Sequence, residues 1–134
     1  MQIALIITLS FHILSTVFWA GTSFALARTG GVDGEQLFRP QMAAAVIAVL
    51  TGGHLGHLVH AGTFGTTEQV LAIGALAALV AAGVQGAIGG GAIRSLRVGK
   101  TDEAVARSRI ATAQRIAAVP LAVAAVCMGA ARYL

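Results

Sequence analysis

Four long, sparsely charged runs dominate this chain, at about 2–27, 37–61, 67–93 and 109–133. Each is longer than the ~20 residues with which a helix crosses a hydrocarbon core of ~30 Å. In lipid the backbone N–H and C=O groups have no water to bond, so segments of this kind satisfy themselves as helices. Composition agrees. The chain is 57% hydrophobic and 10% charged, where a soluble domain carries roughly 25% charged residues. The expected fold is all-α, an integral-membrane four-helix bundle forming one domain over 1–134. Glycine occurs 17 times, and small residues let membrane helices approach closely.

The breaks between runs carry their own signals. Arg28, Gly30-Gly31 and Asp33-Gly34 end the first run, because paired glycines and Asp-Gly disfavour helix. That run continues well past a cleavable leader's length, and it reads as a retained helix. Pro40 fits the first turn of the second helix, where its missing N–H costs little. The 62–67 stretch is an uncharged turn, with Thr67 as N-cap and Glu68 placed to complement the third helix. Gly89-Gly90-Gly91 reads as the end of that helix. Pro120 lies inside the fourth run and predicts a kink.

Of the nine Lys and Arg residues, all but Arg132 flank the loops after the first and third runs. The positive-inside rule therefore places both termini and the 62–67 turn on the outer, periplasmic side of a multi-pass protein of the cell (inner) membrane. Arg132 snorkels to the outer interface. The same rule accounts for the net charge of +4. No basic face with interleaved aromatics is present, so nucleic acid is excluded as a partner. The single cysteine, Cys127, rules out an intramolecular disulfide.

Histidine is the chemistry-bearing residue here. His54, His57 and His60 fall within seven positions of the second run, and His12 lies in the first. Imidazoles inside a membrane are costly and mark functional sites. Counting along the helices, His12 and His54 lie at nearly one depth, in the outer leaflet. Cys127 and Met128 fall in the same layer. His54, His57 and His60 spread over an arc of roughly 120°. Gly53, four residues before His57, leaves a bare patch that suits either a flat macrocycle or close helix packing. His60 stands near the interface as a rim residue. The first run also carries a polar stripe, namely Thr8, His12, Ser15, Thr16, Trp19, Thr22 and Ser23. That stripe should face the bundle interior. Gln85 and Gln114 are expected to bond across helices, and Arg115 to snorkel or pair.

The stretch FHILSTVFWAGTSFALAR, with His12 followed by Trp19 and Gly21, resembles the H-x6-W-x-G opening of the CopD/HemJ-like membrane families. The four-helix layout is similar, as are the basic residues leading from Arg115 to Pro120 in the last helix. The resemblance implies haem b binding and porphyrinogen oxidation on the HemJ side, or copper uptake on the CopD side, with His12 as a ligand. This chain has Ala117, Ala118 and Val119 where HemJ-like proteins carry an Asn-Glu pair before the proline. It also has no lysine in its third helix.

Two chemistries follow for one histidine layer. In the first, His12 and either His54 or His57 hold haem b between helices one and two for electron transfer or redox chemistry, with Gly53 and Trp19 contacting the macrocycle. A haem-dependent oxidoreductase is the matching enzyme class. In the second, copper is bound by His12, His54, His57 and His60, with Cys127 and Met128 as soft ligands. A third reading makes the chain a non-catalytic small subunit of a larger membrane complex. The expected partners are the lipid bilayer, a redox partner or larger complex, and further copies of the chain.

Overall fold

The computed structural model describes residues 1–62 and 64–134. Thr63, within the expected 62–67 turn, lies outside the described residues. Four helices make the fold, and all are long and apolar enough to cross a membrane. They are α1 (Gln2–Arg28), α2 (Gly34–His60), α3 (Thr66–Arg97) and α4 (Glu103–Ala131). Helix α1 packs along α2 and α4, α3 packs along α4, and α2 meets α3 less extensively. The α1–α2 and α3–α4 loops lie at one end of the bundle, here the basic end. The three clustered histidines lie towards the other, the histidine end.

Three boundaries depart from the sequence expectation. Helix α2 starts at Gly34, so Pro40 is an interior residue and not part of the first turn. Helix α3 starts at Thr66, and Gly65 rather than Thr67 precedes it. Glu68 still serves this end, its Oε2 accepting the Gly65 N–H at 2.7 Å. Most informative is the triple glycine, which does not stop α3. The helix widens into a π segment over Gln85–Gly89 and resumes as α-helix over Gly90–Arg97. The glycines there make room for α2. A Cβ at Gly89 or Gly90 would lie 3.4 or 3.2 Å from the Phe38 ring.

The loop between α1 and α2 needs its glycines for a different reason. Gly31 has φ +82°, and a Cβ there would collide with the Arg107 carbonyl of α4. The loop is thereby seated on α4, which begins with Asp102 Oδ1 accepting the Val105 N–H at 2.8 Å. Arg115 is aimed at a helix end. Its Nε donates to the Ala27 carbonyl of α1 at 3.3 Å, where basic groups complement the C-terminal dipole.

The core is built from small residues. Ala44, Ala45, Ala48, Ala78, Ala81, Ala117 and Ala124 surround Trp19 and Leu121. At Gly74 the α3–α4 contact is so close that a Cβ would lie 3.0 Å from the Cys127 Cβ. Large apolar side chains such as Ile3, Leu14, Val17, Leu50, Leu76 and Val126 point outwards. In a bilayer, lipid would solvate them as well as a protein core does, which leaves packing to favour small residues in the interior.

Candidate functional site

Two polar layers cross the bundle. The layer towards the basic end is closed. Trp19 Nε1–H donates to Gln85 Oε1 at 2.6 Å. The Gln85 amide donates to Ser23 Oγ at 2.7 Å and to Gln114 Oε1 at 2.8 Å. Gln114 donates to Gln41 Oε1 at 3.0 Å, and Gln41 donates to Ser23 Oγ and Gln114 Oε1, both at 3.1 Å. Ser23 passes its own proton to the Trp19 carbonyl at 2.8 Å. Ser23 and the three glutamines are 0% exposed and Trp19 is 2% exposed. Every helix contributes, with Gln85 opening the π segment of α3. None of these side chains ionises near neutral pH, so the layer holds the helices in register and carries no proton or metal chemistry.

The cross-helix bonding expected of Gln85 and Gln114 is present. Gln41 is the member that sequence reasoning missed. It follows Arg39 and Pro40 and resembles a solvated helix start, and only its burial in the tertiary structure distinguishes it. Trp19 belongs to this layer, as a buried hydrogen-bond donor about 10 Å along α1 from His12.

The histidine layer is built differently. His12 is half-buried and reaches α2, with Nδ1 2.9 Å from the Ala48 carbonyl and 3.1 Å from Thr51 Oγ1. A carbonyl only accepts, so Nδ1 carries the proton. Thr51 Oγ1–H donates to the Ile47 carbonyl at 2.6 Å and its oxygen is likewise an acceptor for the ring. In the neutral imidazole, Nε2 therefore keeps its lone pair. The ring lies on Gly52, where a Cβ would stand 3.0 Å from His12 Cε1. Gly52, not Gly53, is the glycine that accommodates an imidazole. A Cβ at Gly53 would meet nothing within 4 Å.

His54 and His57 lie roughly 3 and 7.5 Å along α2 beyond Gly52, on which the His12 ring rests, and on another side of the helix. They lie roughly 120° and 180° around the helix from Ala48, and both are exposed. The expected pairing of His12 with His54 or His57 in the α1–α2 groove is not formed within the chain. The physical reason is angular. Depth follows from counting residues, whereas the face that meets α1 is set by Ala44, Ala48, Thr51 and Gly52.

His60 turns to α3, its Nδ1 2.7 Å from Glu68 Oε1. Cys127 sits in the α3–α4 contact against Gly74, and Met128 beside it is half-buried. Among the described residues no three His, Cys, Asp or Glu side chains are grouped closely enough to hold a metal ion. Two cavities among the described residues are lined without histidine. One, of about 120 Å³, lies at the basic end among Gly31, Glu35, Glu103 and Arg107. The other is an open apolar groove of about 510 Å³ along Phe24, Val119, Val123 and Cys127.

Fold and site together define a helical bundle of membrane-spanning length, with a neutral amide core at one end and an imidazole layer at the other. No family model matches the chain, and neither a curated protein nor a solved structure matches it.

The donor chemistry can be tested against the two expected groups. The acidic residues stand at the ends of the bundle, with Asp33, Glu35, Asp102 and Glu103 at the basic end and Glu68 at the opposite terminus of α3. A copper or zinc ion at the depth of His12 would keep an uncompensated charge in a low-dielectric region, which is strongly unfavourable. A porphyrin brings two anionic nitrogens to its iron and needs only neutral imidazole from the protein. His12 could ligate such an iron through Nε2, since its Nδ1–H is tied to a backbone carbonyl in the manner of metal-ligating histidines.

Proposed function

We propose that this chain is a multi-pass membrane protein of the redox class that binds haem b through His12 Nε2, with both termini on the outer side. The observation that carries this reading is the His12–Ala48 hydrogen bond. It orients the ring, assigns the proton to Nδ1 and leaves the Nε2 lone pair available. Bound haem would supply one-electron chemistry. Ala48, Thr51 and Gly52 hold the His12 ring that would ligate the iron. The His60–Glu68 pair stands at the ends of α2 and α3, away from His12, so electron transfer is favoured over proton-coupled oxidation. The copper reading draws less support, because its histidines and Cys127 are not grouped closely enough among the described residues to hold a metal ion.

The test is a reduced-minus-oxidised absorption spectrum of the purified protein after haem titration. A Soret band with saturable binding, reduced at least about tenfold in affinity by His12→Ala, is the expected result. The Gln85–Gln114 layer would leave folding intact in that variant, read from Trp19 fluorescence. A chain that folds and takes up no haem overturns the reading. Stoichiometric copper in place of haem selects the alternative.

A further inference from the structure

The open groove of about 510 Å³ on the outside of the bundle is apolar along its length and cationic at one mouth. Phe24 of α1 forms one side of it, and a single face of α4 forms the rest. Arg115, Ala118, Val119, Ala122, Val123 and Val126 stand at i, i+3, i+4, i+7, i+8 and i+11, the spacing of one helix face. Phe24, Val119, Val123 and Val126 are exposed, and the small Ala118 and Ala122 alternate with the valines. Arg115 lies one turn nearer the basic end than Ala118 and Val119, and Arg28 one turn nearer it than Phe24. Both arginines are exposed. Arg115 Nε is committed to the Ala27 carbonyl at 3.3 Å, which brings its guanidinium from α4 to the end of α1. The four other N–H groups of that guanidinium remain. The ion pairs of the basic end join Arg97 to Glu35 and Arg107 to Glu103. Among the described residues no carboxylate pairs with Arg28 or Arg115.

We propose that this groove binds one anionic phospholipid, its headgroup phosphate on Arg28 and Arg115 and an acyl chain along Ala118 to Cys127. Charge complementarity and length select the occupant. Guanidinium groups hold phosphate oxygens by charge-assisted, often bidentate hydrogen bonds, and basic sites between membrane helices take anionic headgroups. A zwitterionic headgroup brings a cation of its own to two unpaired arginines and gains less. From Ala118 to Cys127 the groove runs roughly 13.5 Å, close to the ~15 Å of one leaflet in a hydrocarbon core of ~30 Å. A spanning helix of a second protein would extend over about twice that length. The inference rests on the chain lying in a membrane and not on haem.

The experiment uses the full chain in detergent, mixed with dioleoyl phosphatidylglycerol or dioleoyl phosphatidylcholine, with lipid bound per chain read by native mass spectrometry. One phosphatidylglycerol should be retained per chain, at least about tenfold more tightly than phosphatidylcholine. The Arg28→Gln/Arg115→Gln variant should lose that preference, with Trp19 fluorescence unchanged as proof of folding. Arg94→Gln/Arg109→Gln removes the same charge elsewhere on the basic end and should keep it. Ala122→Phe fills the groove and should lower phosphatidylglycerol retention by a similar factor. Glycerol phosphate, which carries the charge without the acyl chain, should not compete. Equal retention of the two lipids would overturn the proposal. So would equal losses from the two arginine pairs, full retention in Ala122→Phe, or displacement by glycerol phosphate. Flotation with phosphatidylcholine vesicles reads membrane insertion separately, so a chain that floats and shows no lipid preference overturns this inference alone.

Discussion

The amide layer and the histidine layer are both polar, both embedded in apolar helices, and organised on opposite principles. In the first, five side chains from four helices share seven hydrogen bonds and leave no exposed surface. In the second, one imidazole is tied by a single nitrogen and two face away from the bundle. The difference separates polar groups that specify a fold from those that remain available to something else. A buried network that is fully satisfied rigidifies its surroundings. A polar group in hydrocarbon without a partner in its own chain calls for a ligand or a neighbour.

The contrast is most exposed to refutation at Gln85. Gln85→Leu strands the Trp19 N–H and removes the donors to Ser23 and Gln114. The expected loss is about 3 kcal/mol of folding stability, since each buried group left unsatisfied costs about 1–3 kcal/mol. Unfolding by denaturing detergent in mixed micelles reads it. His54→Leu in the same assay should change folding stability by less than about 0.5 kcal/mol, as for a substitution on an exposed face. Equal losses at the two sites would erase the distinction between the layers.

A finer comparison uses neighbouring glycines. Gly52→Val drives a side chain into the His12 ring, and overpacking of this kind costs about 1–3 kcal/mol. It should also lower haem affinity, because the ring is displaced from its bond to Ala48. Gly53→Val meets open space and should leave folding and haem affinity unchanged. The smallest effect is expected at the end of the histidine run. His60 and Glu68 pair with side chains 28% and 16% exposed, and His60→Ala should cost under about 1 kcal/mol. A larger loss there would mean that the α2–α3 connection, rather than the amide layer, holds the helices together.

Much of this architecture was legible in the residues alone. Four helices of membrane-spanning length, their order and their approximate ends follow from hydropathy and length, because lipid imposes a simple rule on any segment that crosses it. The polar stripe of α1 was readable for the same reason. Ser15, Trp19 and Ser23 are indeed buried. Gly89-Gly90-Gly91 misled, since glycine breaks helices in water yet in a membrane bundle it equally marks close packing, here against Phe38. The depth match of His12 with His54 also suggested a shared site that the chain does not assemble by itself.

Periodicity along one helix determines depth and face, and these reach the reader of the sequence directly. It does not determine which face of one helix meets which neighbour. That choice is made when all four helices pack at once, through contacts between residues far apart in the chain, such as Gln41 with Gln114 or His12 with Ala48. The sequence alone therefore determined four helices long and apolar enough to cross a membrane, with histidines in the first and the second. Only the tertiary structure decided that His12 turns inwards to α2 while His54 and His57 turn out.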